Sequence, residues 1–289
     1  MNKPDFFQRF LFENLGIRGE LVRLEDAWAL ARNTHDYPDT VAALLGQALA
    51  GSVLLSGTIK FQGSLILQLQ GPGPITTLVA QATNQLTVRG LAHWRDIPTG
   101  SSLGELVGNG RLIMTIQQEG REPYQGIVAL EGTTLAESIE RYFAQSEQLP
   151  TRLWLFADEQ RAGGLFVQAL PGQTCAEEDW RRIGFLAETL SERELLELPA
   201  ENLLFRLFHE ESVRLLEPEP VVFRCGCSRE RIEGVLMALG QDEIRHVLAE
   251  QGSITVDCEF CNRRYAFDAV DIGAMFASGS RTGAPATRQ

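Results

Sequence analysis

Four of the five cysteines stand in two tight pairs, Cys225-Gly226-Cys227 and Cys258-Glu259-Phe260-Cys261, with thirty residues between them. Two short-spaced pairs are how one chain delivers four sulfurs to one ion, and four thiolates at about 2.3 Å from a tetrahedral zinc close its coordination sphere. Such a shell is structural, because no position is left open for a substrate. The first pair has one intervening residue where the usual zinc knuckle has two, and Gly226 supplies the backbone freedom to turn both sulfurs to one side. Cys225, Cys227, Cys258 and Cys261 are therefore the candidate ligands of one metal ion. Arg224, Arg229 and Arg231 flank the first pair and Arg263 and Arg264 follow the second, while Cys227 lies just before an expected helix N-terminus. Both features favour thiolate, although arginines are common enough here to form a plain solvated face.

Other candidates carry less. Cys175 has no partner nearby and reads as a spare thiol. His246 lies between the pairs and could compete as a ligand, but four thiolates already satisfy the metal. His209-Glu210-Glu211 lacks the second histidine of a zinc-protease helix and reads as helix surface. Gly71-Pro72-Gly73-Pro74 and the stretch from Gly104 to Gly110 lack phosphate-cradling spacing and read as turns.

The elements that must position the cysteines follow from periodicity. Ser228 can cap a helix carrying Ile232, Val235, Leu236 and Leu239 before Gly240; a second helix spans Gln241 to Glu250 and ends at Gly252. Ile254 and Val256 lead by strand into the second pair, and Tyr265 and Phe267 lead out of it. Upstream, residues 175–220 read as helical: Glu177 to Leu190, Glu192 to Leu198, and Glu201 to Leu216. Isolated helices below roughly 12 to 15 residues are marginal in water, so these must rest on another surface, either as a detachable connector or as core helices of the first domain.

Residues 1–174 read as mixed strand and helix. A helix is expected over Leu24 to Asn33, a buried stretch over Val41 to Leu55, and strands at Ser64 to Gln70, Leu112 to Gln117, Gln125 to Leu130, Thr151 to Phe156 and Leu165 to Leu170. The last two are joined across Asp158 to Gly164 as a hairpin. An antiparallel α+β fold follows more naturally than a βαβ one. The expected organisation is an N-terminal mixed antiparallel-sheet domain with helices (1–174), a helical linker (175–220), a small C-terminal zinc-binding redox-switch domain (221–277) and a disordered tail (278–289).

Composition bounds the function. The 289 residues carry 44% apolar and 22% charged residues, ordinary globular usage that excludes a wholly disordered chain or a disulfide-dense mini-protein. Net charge is −12 and Lys3 and Lys60 are the only lysines, so a phosphate-coating surface, and with it nucleic acid, is disfavoured. The start lacks the pattern of a secretory signal, so a cytoplasmic protein with thiols reduced at rest is expected. The uncharged run from Thr40 to Ile59 is too polar for a membrane span and reads as a buried core helix.

The chain resembles the redox-regulated 33 kDa bacterial chaperonin family, heat shock protein 33 of the HslO type. The resemblance covers nearly its full length. It rests on Gly71-Pro72-Gly73-Pro74-Ile75, Tyr124-Gln125-Gly126, Tyr142 with Ser146-Glu147-Gln148-Leu149-Pro150, Phe205 through Glu211, and above all Cys225-Gly226-Cys227-Ser228-Arg229-Glu230-Arg231 with Cys258-Glu259-Phe260-Cys261. It implies an ATP-independent holdase rather than an enzyme, idle when reduced and loaded with one Zn2+ per chain. Oxidation would form Cys225–Cys227 and Cys258–Cys261 disulfides, release zinc, unfold the linker and let the protein bind unfolding clients under oxidative stress. The resemblance also implies a homodimer when oxidised and hand-over of clients to ATP-dependent refolding chaperones. Competing readings are a thiol-disulfide oxidoreductase using the second pair, or a structural zinc module on an unidentified enzyme. A zinc-ribbon nucleic-acid binder is disfavoured, because residues 225–289 carry 7 Arg against 9 Asp plus Glu.

Overall fold

The structure, a computed structural model, describes residues 4–58, 62–97, 100, 102–172 and 175–279. The chain divides into two compact units, residues 1–224 and 225–289.

The first unit is layered around one helix. Its first sheet pairs β1 (Phe6–Phe12) with β2 (Ile17–Leu24), β2 with β9 (Ala162–Ala169), and β9 with β8 (Thr151–Ala157), all antiparallel. Two short strands, β10 (Val213–Leu215) and β11 (Glu219–Pro220), pair with the outer edge of β1. The second sheet runs in the order β12 (Val222–Phe223), β5 (Thr87–Trp94), β4 (Ile75–Thr83), β3 (Gly63–Gln70), β6 (Arg111–Gln118) and β7 (Tyr124–Ala129). Within it, β12 runs parallel to β5 and the other neighbours are antiparallel. Between the sheets lies α2 (Asp39–Thr58), packed on strands of both.

That position explains the apolar sequence of α2. A helix with sheets on two sides cannot keep a polar stripe, and Val41, Leu45, Ala48, Leu49, Val53 and Leu54 are fully buried. Its length and composition alone would let it cross a membrane, but it is mostly buried inside the protein. Having no basic residue in its last turn, α2 takes a cation from the sheet: Arg18 donates to Thr58 O at 3.4 Å and to Gln168 Oε1 at 2.6 Å. Shorter helices, α1 (Asp26–Arg32), α3 (Leu103–Val107) and α4 (Leu135–Tyr142), complete this side.

The opposite face of the first sheet is covered by α5 (Glu177–Glu188), α6 (Glu192–Glu197) and α7 (Ala200–Phe208). Phe6, Phe10, Phe12, Ile17, Leu21, Leu165 and Val167 meet Ile183, Ala187, Leu195, Leu203, Leu204, Leu207 and Phe208 there. Gly19 makes room for this packing, because a Cβ on it would lie 2.0 Å from the Phe10 ring. Arg23 pins the middle helix, donating to Leu195 O at 2.7 Å and to Leu198 O. Burial first, and Arg161 second, lower its pKa to about 10.

Several expectations need correction. Leu24 ends a strand, and the first helix begins at Asp26. The helix expected over Glu201 to Leu216 stops at Phe208, because residues 213–215 pair with β1 instead. His209 therefore caps α7, and Glu210-Glu211 form a turn. Gly104 sits inside α3 rather than in a turn. The hairpin between β8 and β9 turns at Asp158–Arg161, its Asp158 accepting from the amides of Gln160 and Arg161. Of the expected tail, residues 280–289 lie outside the described residues.

The second unit is small. It contains α8 (Arg229–Leu239), α9 (Gln241–Gln251), the hairpin β13 (Ile254–Asp257) and β14 (Arg264–Phe267), and α10 (Ala269–Gly279). Its buried apolar residues are Leu236, Ile244, Ile254, Tyr265, Phe267, Ile272 and Met275, with Cys227 and Cys258 packed against them.

Candidate metal centre

Each cysteine is placed by a local rule. Ser228 caps α8 by accepting from Arg231 N at 3.3 Å, which fixes Cys227 one residue before the cap. Gly226 O accepts from Arg231 Nη1 at 2.7 Å, holding the peptide between the first two sulfurs. The second pair occupies the turn of the β13–β14 hairpin: Cys258 N donates to Arg263 O at 3.0 Å, and Cys261 N and Asn262 N donate back to Cys258 O. Asn262 takes a φ of 54°, the left-handed conformation that closes the turn. Arg264 brackets its base with two hydrogen bonds to Asp257, at 2.8 and 3.0 Å.

The four Sγ atoms of Cys225, Cys227, Cys258 and Cys261 lie within 4.8 Å of one another. Cys225 Sγ is 3.6 Å from Cys258 Sγ, and Cys227 Sγ is 3.4 Å from Cys261 Sγ. A tetrahedron with 2.3 Å bonds has edges of about 3.8 Å, so this cluster fits one ion held by four thiolates. Its protonation behaviour agrees. Burial raises the pKa of Cys227, but hydrogen bonds led by Tyr265 and Cys261 outweigh it and bring the thiol down to about 7. Burial, followed by the neighbouring sulfurs against backbone hydrogen bonding, pushes Cys261 up to about 12, and burial also raises Cys258. Like charges this close cannot all ionise unless a cation sits among them. The cluster can hold a metal ion.

The remaining sequence candidates separate cleanly. Cys175 lies in the first unit, partly buried against the Phe10 cluster, with its pKa raised by burial and by Asp179. His246 is on exposed α9 surface, 3.4 Å from Glu250. The flanking arginines are more than a solvated face. Arg229 stacks 4.3 Å from the Phe267 ring centroid, donates to Ala266 O at 3.0 Å and pairs with Asp271 at 2.8 Å. It thereby ties α8 to β14 and α10. Sequence reasoning missed Tyr265, whose hydroxyl donates to Cys227 Sγ at 3.1 Å. Its alternation with Phe267 signals burial, but no spacing rule reveals where its hydroxyl ends.

Comparison with known proteins agrees over the whole chain. Residues 5–268 match the family described as Hsp33 protein. The 33 kDa chaperonin of Nitrosococcus oceani is 58% identical over 289 residues, covering 100% of both chains. That of Pseudomonas paraeruginosa is 46% identical over 296 aligned positions, again covering 100% of both. The crystal structure of the 33 kDa chaperonin, a heat shock protein 33 homologue, from Thermotoga maritima superposes with a TM-score of 0.83 at 26% identity, covering 96% of this chain and 99% of that one. With its four-sulfur cluster, its layered first unit and this full-length similarity, the chain belongs to the Hsp33 family.

Proposed function

We propose that this protein is a redox-regulated, ATP-independent holdase whose cysteine unit is folded by one zinc ion per chain in the reduced state. The observation that carries the reading is the convergence of Cys225, Cys227, Cys258 and Cys261 to within 4.8 Å. Bound zinc would supply the cation that keeps all four sulfurs ionised and links the two ends of the segment. Such coupling is worth about 10 to 16 kcal/mol in small thiolate modules, against roughly 5 to 15 kcal/mol for a whole domain.

Oxidation replaces that link with two local ones, Cys225–Cys227 and Cys258–Cys261. For each, a peroxide O–O bond breaks, two thiolates give up two electrons to form an S–S bond, and two protons complete two waters. A disulfide across about 4 residues constrains the unfolded chain by only about 2 kcal/mol. Sulfurs of different pairs touch at 3.6 and 3.4 Å in the folded arrangement, and bonding within pairs draws them away from those contacts. The second unit then loses its structure and the helices of residues 175–220 release from the first sheet. The apolar faces they cover, centred on Phe10 and Phe208, become available to unfolding clients. Homodimerisation when oxidised, transfer of clients to ATP-dependent chaperones and a cytoplasmic location complete the reading.

The test is suppression of aggregation of a chemically denatured client, comparing reduced zinc-loaded with peroxide-treated protein, together with zinc counting and disulfide mapping. The reading expects protection after oxidation, release of one zinc per chain and bonds within pairs. Equal protection before and after, or cross-pair Cys225–Cys258 and Cys227–Cys261 bonds in the active form, would overturn it.

A further inference from the structure

A carboxylic acid lies buried beside the end of α2, and no step described above uses it. Glu20 is 1% exposed, and its Oε2 and the ring of Phe7 both lie against Gly57 of that helix. Arg9 stands directly opposite Glu20 in the β1–β2 ladder, its guanidinium 4.7 Å from the Phe7 ring centroid. Side chains opposed in this way are close enough to pair. Arg9 nevertheless pairs elsewhere, its Nη1 donating to Glu219 Oε1 of β11 at 2.5 Å. Among the described residues, neither Glu20 oxygen has a hydrogen-bond partner.

Few other charges face this acid. Arg18, on its own strand, is committed to Thr58 O and Gln168 Oε1, and the last turn of α2 carries no charged side chain. Burial above all makes Glu20 keep its proton up to about pH 8, with Arg18 and Arg9 opposing and Glu219 reinforcing. Once the proton leaves, the buried carboxylate needs a counter-ion. Glu219 does not, because its side chain is 49% exposed and water can solvate it.

We propose that Arg9 is a two-position clasp, holding β11 through Glu219 while Glu20 is protonated and turning inward to Glu20 when it ionises, so that mild alkalinity loosens residues 216–221 from the edge of β1. That strap is fastened there by Leu216 N donating to Arg9 O at 2.9 Å, Gln8 Nε2 to Leu216 O at 2.8 Å and Val221 N to Asp5 O at 3.4 Å. It is among the last stretches of the first unit before the second begins at Cys225. The clasp needs neither metal nor oxidant. Because burial raises the acid, the strap stays closed below about pH 8 and loosens above it.

The test is residue-resolved amide exchange of the reduced, full-length protein on either side of pH 8, normalised to intrinsic exchange rates. Protection of Leu216 and Val221 in the wild type should fall by up to about fivefold as pH rises, the worth of a half-exposed ion pair. E20Q keeps the shape of the protonated acid and should hold these amides at the low-pH wild-type level throughout. R9Q should show the weaker protection at every pH, with the dependence gone. Flat protection in the wild type, an equal fall in E20Q, or a fall that survives in R9Q would each overturn the clasp.

Discussion

The sandwiched helix α2 and the cysteine unit differ in what closes their cores. Around α2, two sheets supply continuous apolar contact, and the same first sheet is buried again on its far side. Among its described residues the second unit buries seven apolar side chains, spread over three helices and one hairpin. Hydrophobic burial suffices for the first, whereas the second sits at the size where small domains need a metal or a covalent link. A protein built this way can lose one region without losing the other.

The largest test of that contrast is metal removal. Chelation of the reduced protein, or Cys258→Ser, should abolish amide protection across residues 229–276 while α2 and its sheets stay protected, read by hydrogen-exchange mass spectrometry. Tryptophan fluorescence should report only the accompanying release of the 175–220 helices, through Trp154 and Trp180 in the layer they cover, since Trp28 and Trp94 pack in the other core and the second unit carries no tryptophan. Loss of protection around α2 as well would show one cooperative body rather than two.

Next in size is the far face of the first sheet. Phe208 is fully buried there, 4.9 Å from Phe12 and 6.3 Å from Phe10 by ring centroids. Phe208→Ala should cost about 3 to 5 kcal/mol in the docking of α5 to α7. Binding of an apolar dye and client protection should then appear without oxidant. If the dye stays unbound, those helices belong to the first core and do not detach.

Glu20 offers a pH test confined to the first unit. It is buried, and among the described residues neither carboxylate oxygen meets a hydrogen-bond partner. Burial pushes its pKa from 4.5 up to about 8, against Arg18 and Arg9 and reinforced by Glu219. The folded state thus keeps a proton that the unfolded state loses, and stability falls as pH rises from 4.5 to about 8, by at most about 1.4 kcal/mol per pH unit. Glu20→Gln should remove this slope in urea titrations of the first unit and leave zinc release unchanged.

The smallest effect is expected from Arg229, which stacks on Phe267 and pairs with Asp271 in a partly exposed setting. Arg229→Ala should weaken the second unit by about 1 kcal/mol and speed chelator-driven zinc loss modestly. A loss as large as that of Cys258→Ser would mean that side chains rather than metal close this core.

Sequence reading reached the second unit better than the first. Ser228, Gly240 and Gly252 mark helix ends by local chemistry, and the cysteine spacing needs no partner outside the unit to be recognised. The strands β1 and β2 were harder, because residues buried on both faces show no alternation: Phe7 packs into the core around α2 while Phe6, Phe10 and Phe12 pack under α5 to α7. The end of α7 was misplaced for a related reason. Leu215 continues a helical spacing, yet its conformation is decided by Phe10, its partner some two hundred residues earlier. Tyr265 was visible as a core residue and invisible as a donor, since the contact with Cys227 exists only once both halves have folded.

The segment from β10 to β12 touches both sheets of the first unit. Residues 213–220 lie along the rim of β1, and Val222 and Phe223 lie along β5. Unthreading this ribbon would therefore uncover main-chain amides and carbonyls on two β-sheet borders as well as greasy side chains. Bare borders of that kind accept any extended polypeptide irrespective of its sequence.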